Sequence, residues 1–112
     1  MKVYLKRQKN SVDAVAEFDP SNKGITVLKG SKLSAAIAHT GKFRGAKSIE
    51  KSRTGIVKDN TLLKDISFKS ASTAANFVTG SSTNGLIAWK DSNGKTIKEI
   101  LAAVDNGGIP NE

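Results

Sequence analysis

The segment from Phe68 to Lys90 constrains the fold more than any other part of this 112-residue chain. Ser70 can accept hydrogen bonds from the free amides of a first helical turn, and Gly80 can adopt the left-handed conformation that ends a helix. Between them, apolar residues recur with the spacing of one helical face, at Ala71, Ala74, Ala75 and Val78. The pattern therefore predicts a short helix whose small side chains allow close packing.

The residues after this helix predict a turn and a strand. Asn84 and Gly85 form a dipeptide that is typical of tight turns at positive φ. The apolar run Leu86–Trp89 follows directly and contains the only tryptophan. The whole segment is thus predicted to fold as strand, helix, turn and strand.

This segment resembles the signature of the domain of unknown function 4357 family. In that signature, phenylalanine, serine, proline and serine precede two or three alanines, a small-residue loop ending in glycine, then Asn-Gly and Trp-Lys. The matching positions are Phe68, Ser70, Ser72, Ala74, Ala75, Gly80, Asn84, Gly85, Trp89 and Lys90. Two further segments, 24–31 and 94–97, are similar to family segments on either side, so the resemblance covers roughly Val12 to Ile100. Ala71 replaces the usual proline, and Leu86 stands where an aromatic or polar residue is commoner.

The resemblance implies an accessory module of DNA-handling systems. Family members often lie at the carboxyl end of GIY-YIG nuclease-like proteins or of restriction-modification proteins. The family carries no established chemistry, so the implied association rests on analogy between proteins.

Alternating apolar residues predict strands in the first quarter of the chain. Val3 and Leu5 indicate a half-exposed strand, and residues 12–18 indicate a second strand that forms a hairpin with residues 25–28. Residues 31–39 fit either a short helix or an extension of the preceding strand.

Further along the chain, helices are predicted over residues 46–54 and 96–104, and a strand over 62–68. The sequence therefore predicts one α+β domain over residues 1–104, with an antiparallel sheet covered on one face by two or three short helices. Residues 105–112 are predicted to be a flexible tail.

Composition argues against most kinds of enzyme. The chain has no cysteine, which excludes disulfides and thiolate chemistry, and its one histidine, His39, has no acidic residue near it in the sequence. No apolar run reaches membrane length. We expect a non-enzymatic cytoplasmic protein without a metal or cofactor; hydrolysis of nucleic acid ranks last among the hypotheses.

The positive charge is unevenly distributed along the chain. Residues 1–53 contain twelve Lys or Arg and four acidic residues, whereas residues 54–112 contain six of each, so the whole net charge of +8 lies in the first half. This asymmetry is consistent with a polyanionic partner, since such contacts release counterions from nucleic acid. It is equally consistent with a well-solvated basic surface.

The densest cluster of cations lies in residues 42–53. Five basic residues are predicted to contact phosphates: Lys42, Arg44, Lys47, Lys51 and Arg53. Phe43 fits either a stacking contact with a base or a place in the core, and the core is favoured. Four amino-terminal cations extend this patch only if the fold brings them alongside: Lys2, Lys6, Arg7 and Lys9.

The signature residues fit two roles, structural or binding. They are Ser70, Ser72, Asn84, Gly85, Trp89 and Lys90. An N-cap, a C-cap, a hairpin turn and a core tryptophan explain Ser70, Gly80, Gly85 and Trp89, whereas Asn84 and Lys90 stay open. The leading hypothesis is a nucleic-acid-binding accessory module that contacts DNA phosphates; the alternative is a protein-interaction or regulatory module that acts through the signature loop.

Overall fold

The computed structural model describes residues 1–8, 11–35, 37 and 46–105. Its strands are β1 (Lys2–Arg7), β2 (Val12–Phe18), β3 (Ile25–Val27), β4 (Val57–Lys58), β5 (Thr61–Leu62) and β6 (Ile66–Phe68). Its helices are α1 (Ala46–Arg53), α2 (Ala71–Thr79), α3 (Gly85–Ala88) and α4 (Ile97–Asp105). Of the tail predicted over 105–112, only the first residue is described, as the end of α4.

Four strands form an antiparallel sheet in the order β1-β2-β3-β6. Val3 lies opposite Ala16, Ala16 opposite Val27, and Val27 opposite Ile66. Because alternate residues of a strand point to opposite faces, this row places apolar side chains on one face of the sheet. Val3, Ala16 and Val27 are fully buried there, which confirms the alternation predicted for the first strands.

A two-stranded ribbon, β4–β5, extends this arrangement. Its two-residue turn holds Asp59 and Asn60 at positive φ, as a type I′ hairpin turn requires. The backbone of Lys32 bridges Asp13 on β2 and Thr61 on β5, which connects the ribbon to the sheet. Of the segment 31–39, the structure describes residues 31–35 and 37. These residues form no helix, and Lys32 continues the strand pairing.

The helices cover the apolar face of the sheet. Helix α2 packs against β2, β3 and β6, while α1 and α3 pack against α2, and α4 packs against α3. The largest fully buried side chains between these layers are Trp89, Phe18 and Phe77. The α+β class is confirmed, with four helices in the described part of the chain instead of two or three.

The predicted ends of the signature helix are confirmed. Ser70 Oγ accepts a hydrogen bond from the amide of Thr73 at 3.1 Å. Gly80 has φ 71°, in the left-handed region, and its amide donates to the carbonyl of Asn76 at 2.8 Å. The predicted strand over 62–68, in contrast, is divided into β5 and β6 by Asp65, whose carboxylate accepts from the amide of Lys29 at 2.8 Å.

The predicted turn and strand after this helix are wrong. Asn84 has φ −78° and caps α3, because its side-chain oxygen accepts from the amide of Leu86 at 3.0 Å. Gly85 is not at positive φ. Glycine is needed there for space, since a β-carbon would overlap the carbonyl of Ala71. Residues Gly85–Ala88 form a helical turn against α2. Of the strand predicted over Leu86–Trp89, only Trp89 is extended.

Candidate nucleic-acid interface

Helix α1 presents two lysines to solvent. Ala46 and Ile49 are buried and pack against Ile37, so they define the inner face of the helix. Lys47 and Lys51 are exposed and lie one turn apart on the outer face. Gly55, with φ 81°, follows the helix in the left-handed conformation, which confirms the predicted end. These two lysines are the members of the predicted phosphate-binding set that the structure brings together on one exposed surface.

Arg53, also in the predicted set, is engaged inside the protein. Its Nη2 and Nε donate to the carbonyl of Phe77 at 2.7 and 3.1 Å, and its Nη1 donates to the carbonyl of Ser34 at 2.9 Å. The guanidinium carbon lies 5.8 Å from the centre of the Phe77 ring. Partial burial lowers the pKa of Arg53 from its ordinary value. Its donors are therefore used to join three segments of the chain.

The position of Arg53 at the carboxyl end of α2 explains this role. The last carbonyls of a helix have no partner within the helix, and cations near them are favourable. Arg53 supplies donors to Phe77 in the last turn of α2 and also bonds the hydroxyl of Ser34 at 3.1 Å. Sequence reasoning missed this contact because it joins residues 24 positions apart. Arg53 is therefore not part of the exposed cationic surface on α1.

The remaining predicted cations do not extend the α1 surface within the described part of the chain. Lys42 and Arg44, together with Phe43, His39 and Lys9, lie outside the described residues. Strand β1, which carries Lys2, Lys6 and Arg7, occupies the opposite end of the sheet order from β6. Three strand spacings separate β1 from β6, roughly 14 Å. Because α1 packs on α2 near β6, the amino-terminal cations belong to another surface.

The signature residues fasten α2 to α3. Ser72 Oγ accepts from the amide of Gly85 at 3.0 Å, and the indole Nε1 of Trp89 donates to the carbonyl of Ala71 at 3.0 Å. Trp89 is fully buried. With the caps supplied by Ser70 and Asn84, these contacts give the signature a structural role.

Lys90 is exposed, like Ser70 and Asn84, but unlike those two residues its side chain caps no helix. Its backbone pairs with Tyr4 of β1, through hydrogen bonds of 2.7 and 3.0 Å in the two directions. The residue thus joins the signature to the edge of the sheet. Its ammonium group forms no ion pair with a carboxylate in the described part of the chain.

The hydroxyl-rich loop after α2 is held by hydrogen bonds within the loop and to the end of α2. Thr79 Oγ1 donates to the carbonyl of Ala75 at 2.9 Å and lies 2.8 Å from Thr83 Oγ1. The amide of Thr83 donates to Asn76 Oδ1 at 2.8 Å. These side chains fix the loop conformation, a role that sequence reasoning did not assign to Thr79. Its position in the last turn of α2 was the available signal, since Thr hydroxyls often bond the carbonyl four residues earlier.

The residues that the structure describes contain neither a cluster of metal ligands nor a membrane-spanning helix. No group of three or more His, Cys, Asp or Glu residues in ranges 1–8, 11–35, 37 and 46–105 is arranged to hold a metal ion. Over the same ranges, no helix combines the length and apolar character needed to cross a membrane.

Comparison with known proteins identifies a family for this chain. No curated protein and no solved structure matches the chain. The model of the family described as domain of unknown function DUF4357 matches residues 5–101. That match includes the end of β1, the whole of β2 to β6, α1 and the whole signature, and the chain belongs to the DUF4357 family.

Proposed function

We propose that this protein is a non-enzymatic nucleic-acid-binding accessory module. Its partner is DNA, contacted mainly through the phosphate backbone, in systems of the restriction or nuclease type that the family resemblance implies. The supporting observation is the exposed lysine pair on α1, in the half of the chain that carries the whole net charge of +8. Lys42 and Arg44, which precede this helix in the sequence, are proposed to add to the same surface.

Two properties of Lys47 and Lys51 suit phosphate binding. Residues one turn apart on a helix have Cβ atoms about 5–6 Å apart, so both ammonium groups can follow one phosphate backbone. Neither lysine forms an ion pair with a carboxylate in the described part of the chain, although Glu50 lies between them in the sequence. Binding phosphate therefore does not require an internal ion pair to break.

The contacts that hold α1 in place support the same proposal. Ala46 and Ile49 anchor one face of the helix in a small apolar cluster, and Arg53 joins its last turn to α2. A cationic row on a fixed helix loses little conformational freedom on binding beyond that of the lysine side chains. The row is therefore suited to contacts that fix the position of a nucleic acid, without reading its sequence.

The test is a charge reversal with a matched control. Fluorescence anisotropy measures the affinity of the protein for a labelled DNA at low salt. We expect the double variant Lys47→Glu/Lys51→Glu to weaken binding about tenfold or more, because two phosphate contacts become repulsive. The control, Lys95→Glu/Lys98→Glu, carries the same change in net charge at exposed positions on and beside α4.

The control separates a local contact from a general charge effect. If the control weakens binding as much as the α1 variant does, the lysine pair is not the contact surface. If the unmodified protein does not bind DNA or RNA at low salt, the proposed function is wrong.

A second candidate function, protein interaction, is favoured by one specific observation. Leu86 and Ile87 of α3 are 39% and 50% exposed, and they lie within the signature. Adjacent exposed apolar side chains are a feature of protein-binding surfaces. Association with a protein that resists high salt in size-exclusion chromatography, together with no DNA binding, would favour this function over the first.

A further inference from the structure

A small cleft lies between α1 and α2, beside the lysine pair. Its floor is apolar and consists of Ile49, Phe68 and Phe77. Its rim carries short polar side chains, those of Ser48, Ser52, Thr73 and Asn76. The volume is about 90 Å³. An aromatic floor and a polar rim form a site for a flat ring with polar edges.

The two aromatic rings of the floor are held in place by contacts with each other and with Arg53. The centroids of the Phe68 and Phe77 rings are 5.1 Å apart, and the angle between the ring planes is 49°. Phe77 is 1% exposed and contacts the guanidinium of Arg53, whereas Phe68 is half-buried at the end of β6. A base that reaches the cleft therefore meets the exposed part of Phe68, which the buried ring of Phe77 supports, and exposed aromatic rings bind bases by stacking.

The rim offers hydrogen-bonding groups that the fold does not use. In the described part of the chain, no hydrogen bond engages the hydroxyls of Ser48 and Ser52. Asn76 Oδ1 accepts from the amide of Thr83 at 2.8 Å, which fixes the orientation of the side-chain amide and leaves its Nδ2 without a partner there. Hydroxyl and amide groups can donate to or accept from the edge of an unpaired base.

The arrangement of α1 links this cleft to the lysine pair. Ser48 directly follows Lys47, and Ser52 directly follows Lys51, so the serine row lies beside the lysine row on the helix surface. A strand whose phosphates contact the lysines has its bases within reach of the cleft. The volume is below the roughly 150 Å³ that encloses a benzene molecule, so the cleft receives a single ring partly and leaves its edge at the rim.

We propose that the cleft between α1 and α2 binds an unpaired pyrimidine base of the nucleic acid whose phosphates contact Lys47 and Lys51. This inference rests on the proposed function and adds a ligand class to it, a single-stranded or locally unpaired segment. Phe68, supported by the buried ring of Phe77, stacks on the base, and Ser48, Ser52 and Asn76 contact its edge.

The experiment compares two 12-mers of equal charge, one of thymidine and one with abasic sugars throughout. Anisotropy at low salt measures the affinity of the protein for each. We expect the thymidine strand to bind about fivefold or more tightly, because stacking adds to the phosphate contacts. In Ser52→Met, the longer side chain fills the cleft, and affinity for the thymidine strand falls to the abasic value.

The matched control is Ala102→Met, which adds a methionine to an exposed position on α4. It should keep the full preference for the thymidine strand. Both substitutions place a good helix former at an exposed site, and the fluorescence of Trp89 checks that each variant is folded.

The outcomes separate the two proposals. If the unmodified protein binds both strands equally, the base site is wrong while the phosphate-binding function stands. The base site is also wrong if Ser52→Met retains the preference. If neither strand binds, the proposed function fails, and with it this inference.

Discussion

Replacing Arg53 with lysine tests whether this residue serves the fold or a ligand. Lysine keeps the positive charge but has one ammonium group in place of the planar guanidinium. In the structure, the guanidinium donates at the same time to carbonyls of Phe77 and Ser34. One ammonium cannot reproduce donors that reach two segments, so Arg53→Lys should destabilise the protein without changing its net charge.

The magnitude follows from the hydrogen bonds that are lost. Hydrogen bonds to charged groups contribute about 1.5–3 kcal/mol each, and a lysine can retain one of the two segments that Arg53 joins. Arg53 is partly exposed, so solvent reduces the loss toward the lower end of this range. We expect the free energy of unfolding to fall by about 2 kcal/mol, which lowers Tm by about 8 °C in a domain of this size.

Urea denaturation, followed by the fluorescence of the buried Trp89, measures this change directly. The matched control is Arg7→Lys on β1, where the arginine side chain is exposed and forms no hydrogen bond in the described part of the chain. It should change the free energy of unfolding by less than about 0.5 kcal/mol. The reasoning is refuted if Arg53→Lys is as stable as this control.

Two further predictions concern the helix contacts. Gly85→Ala should destabilise the protein by about 2 kcal/mol or more in the same urea assay, because the added β-carbon overlaps the carbonyl of Ala71; an unchanged midpoint would contradict the proposed close packing. Glu99 lies at the start of α4 and accepts hydrogen bonds from the amide and the hydroxyl of Thr96, both at 3.1 Å. These two hydrogen bonds lower the pKa of Glu99. A lowered pKa stabilises the folded state above the ordinary value of 4.5, and the contribution is lost as pH falls through the lowered pKa. Glu99→Gln should therefore reduce the loss of stability on acidification below about pH 4.5, as measured by urea midpoints across pH; an identical acid profile would count against this contact.

Local signals in the sequence were sufficient for the elements whose ends are determined by adjacent residues. Ser70 and Gly80 define α2 because a cap needs only its own side chain or its own φ. The first hairpin was predicted for the same reason, since alternation along Val12–Phe18 reports directly on which face is buried. The α+β class followed from these elements together.

The features that the sequence did not predict depend on contacts between distant segments of the chain. An Asn-Gly pair ordinarily predicts a turn, but here Gly85 packs against Ala71 and Asn84 caps a helical turn. Arg53 was predicted to contact phosphate because its charge is visible in the sequence, whereas its internal acceptors are not. The positions of the amino-terminal cations depended on strand order, which composition does not determine.

The salt dependence of DNA binding tests the central proposal most directly. Each phosphate contact contributes about 0.9 to the slope of log affinity against log salt concentration for duplex DNA. We predict that Lys47→Gln/Lys51→Gln lowers this slope by about 2 relative to the unmodified protein. An unchanged slope would show that these lysines of α1 do not contact phosphate and would contradict the proposed interface.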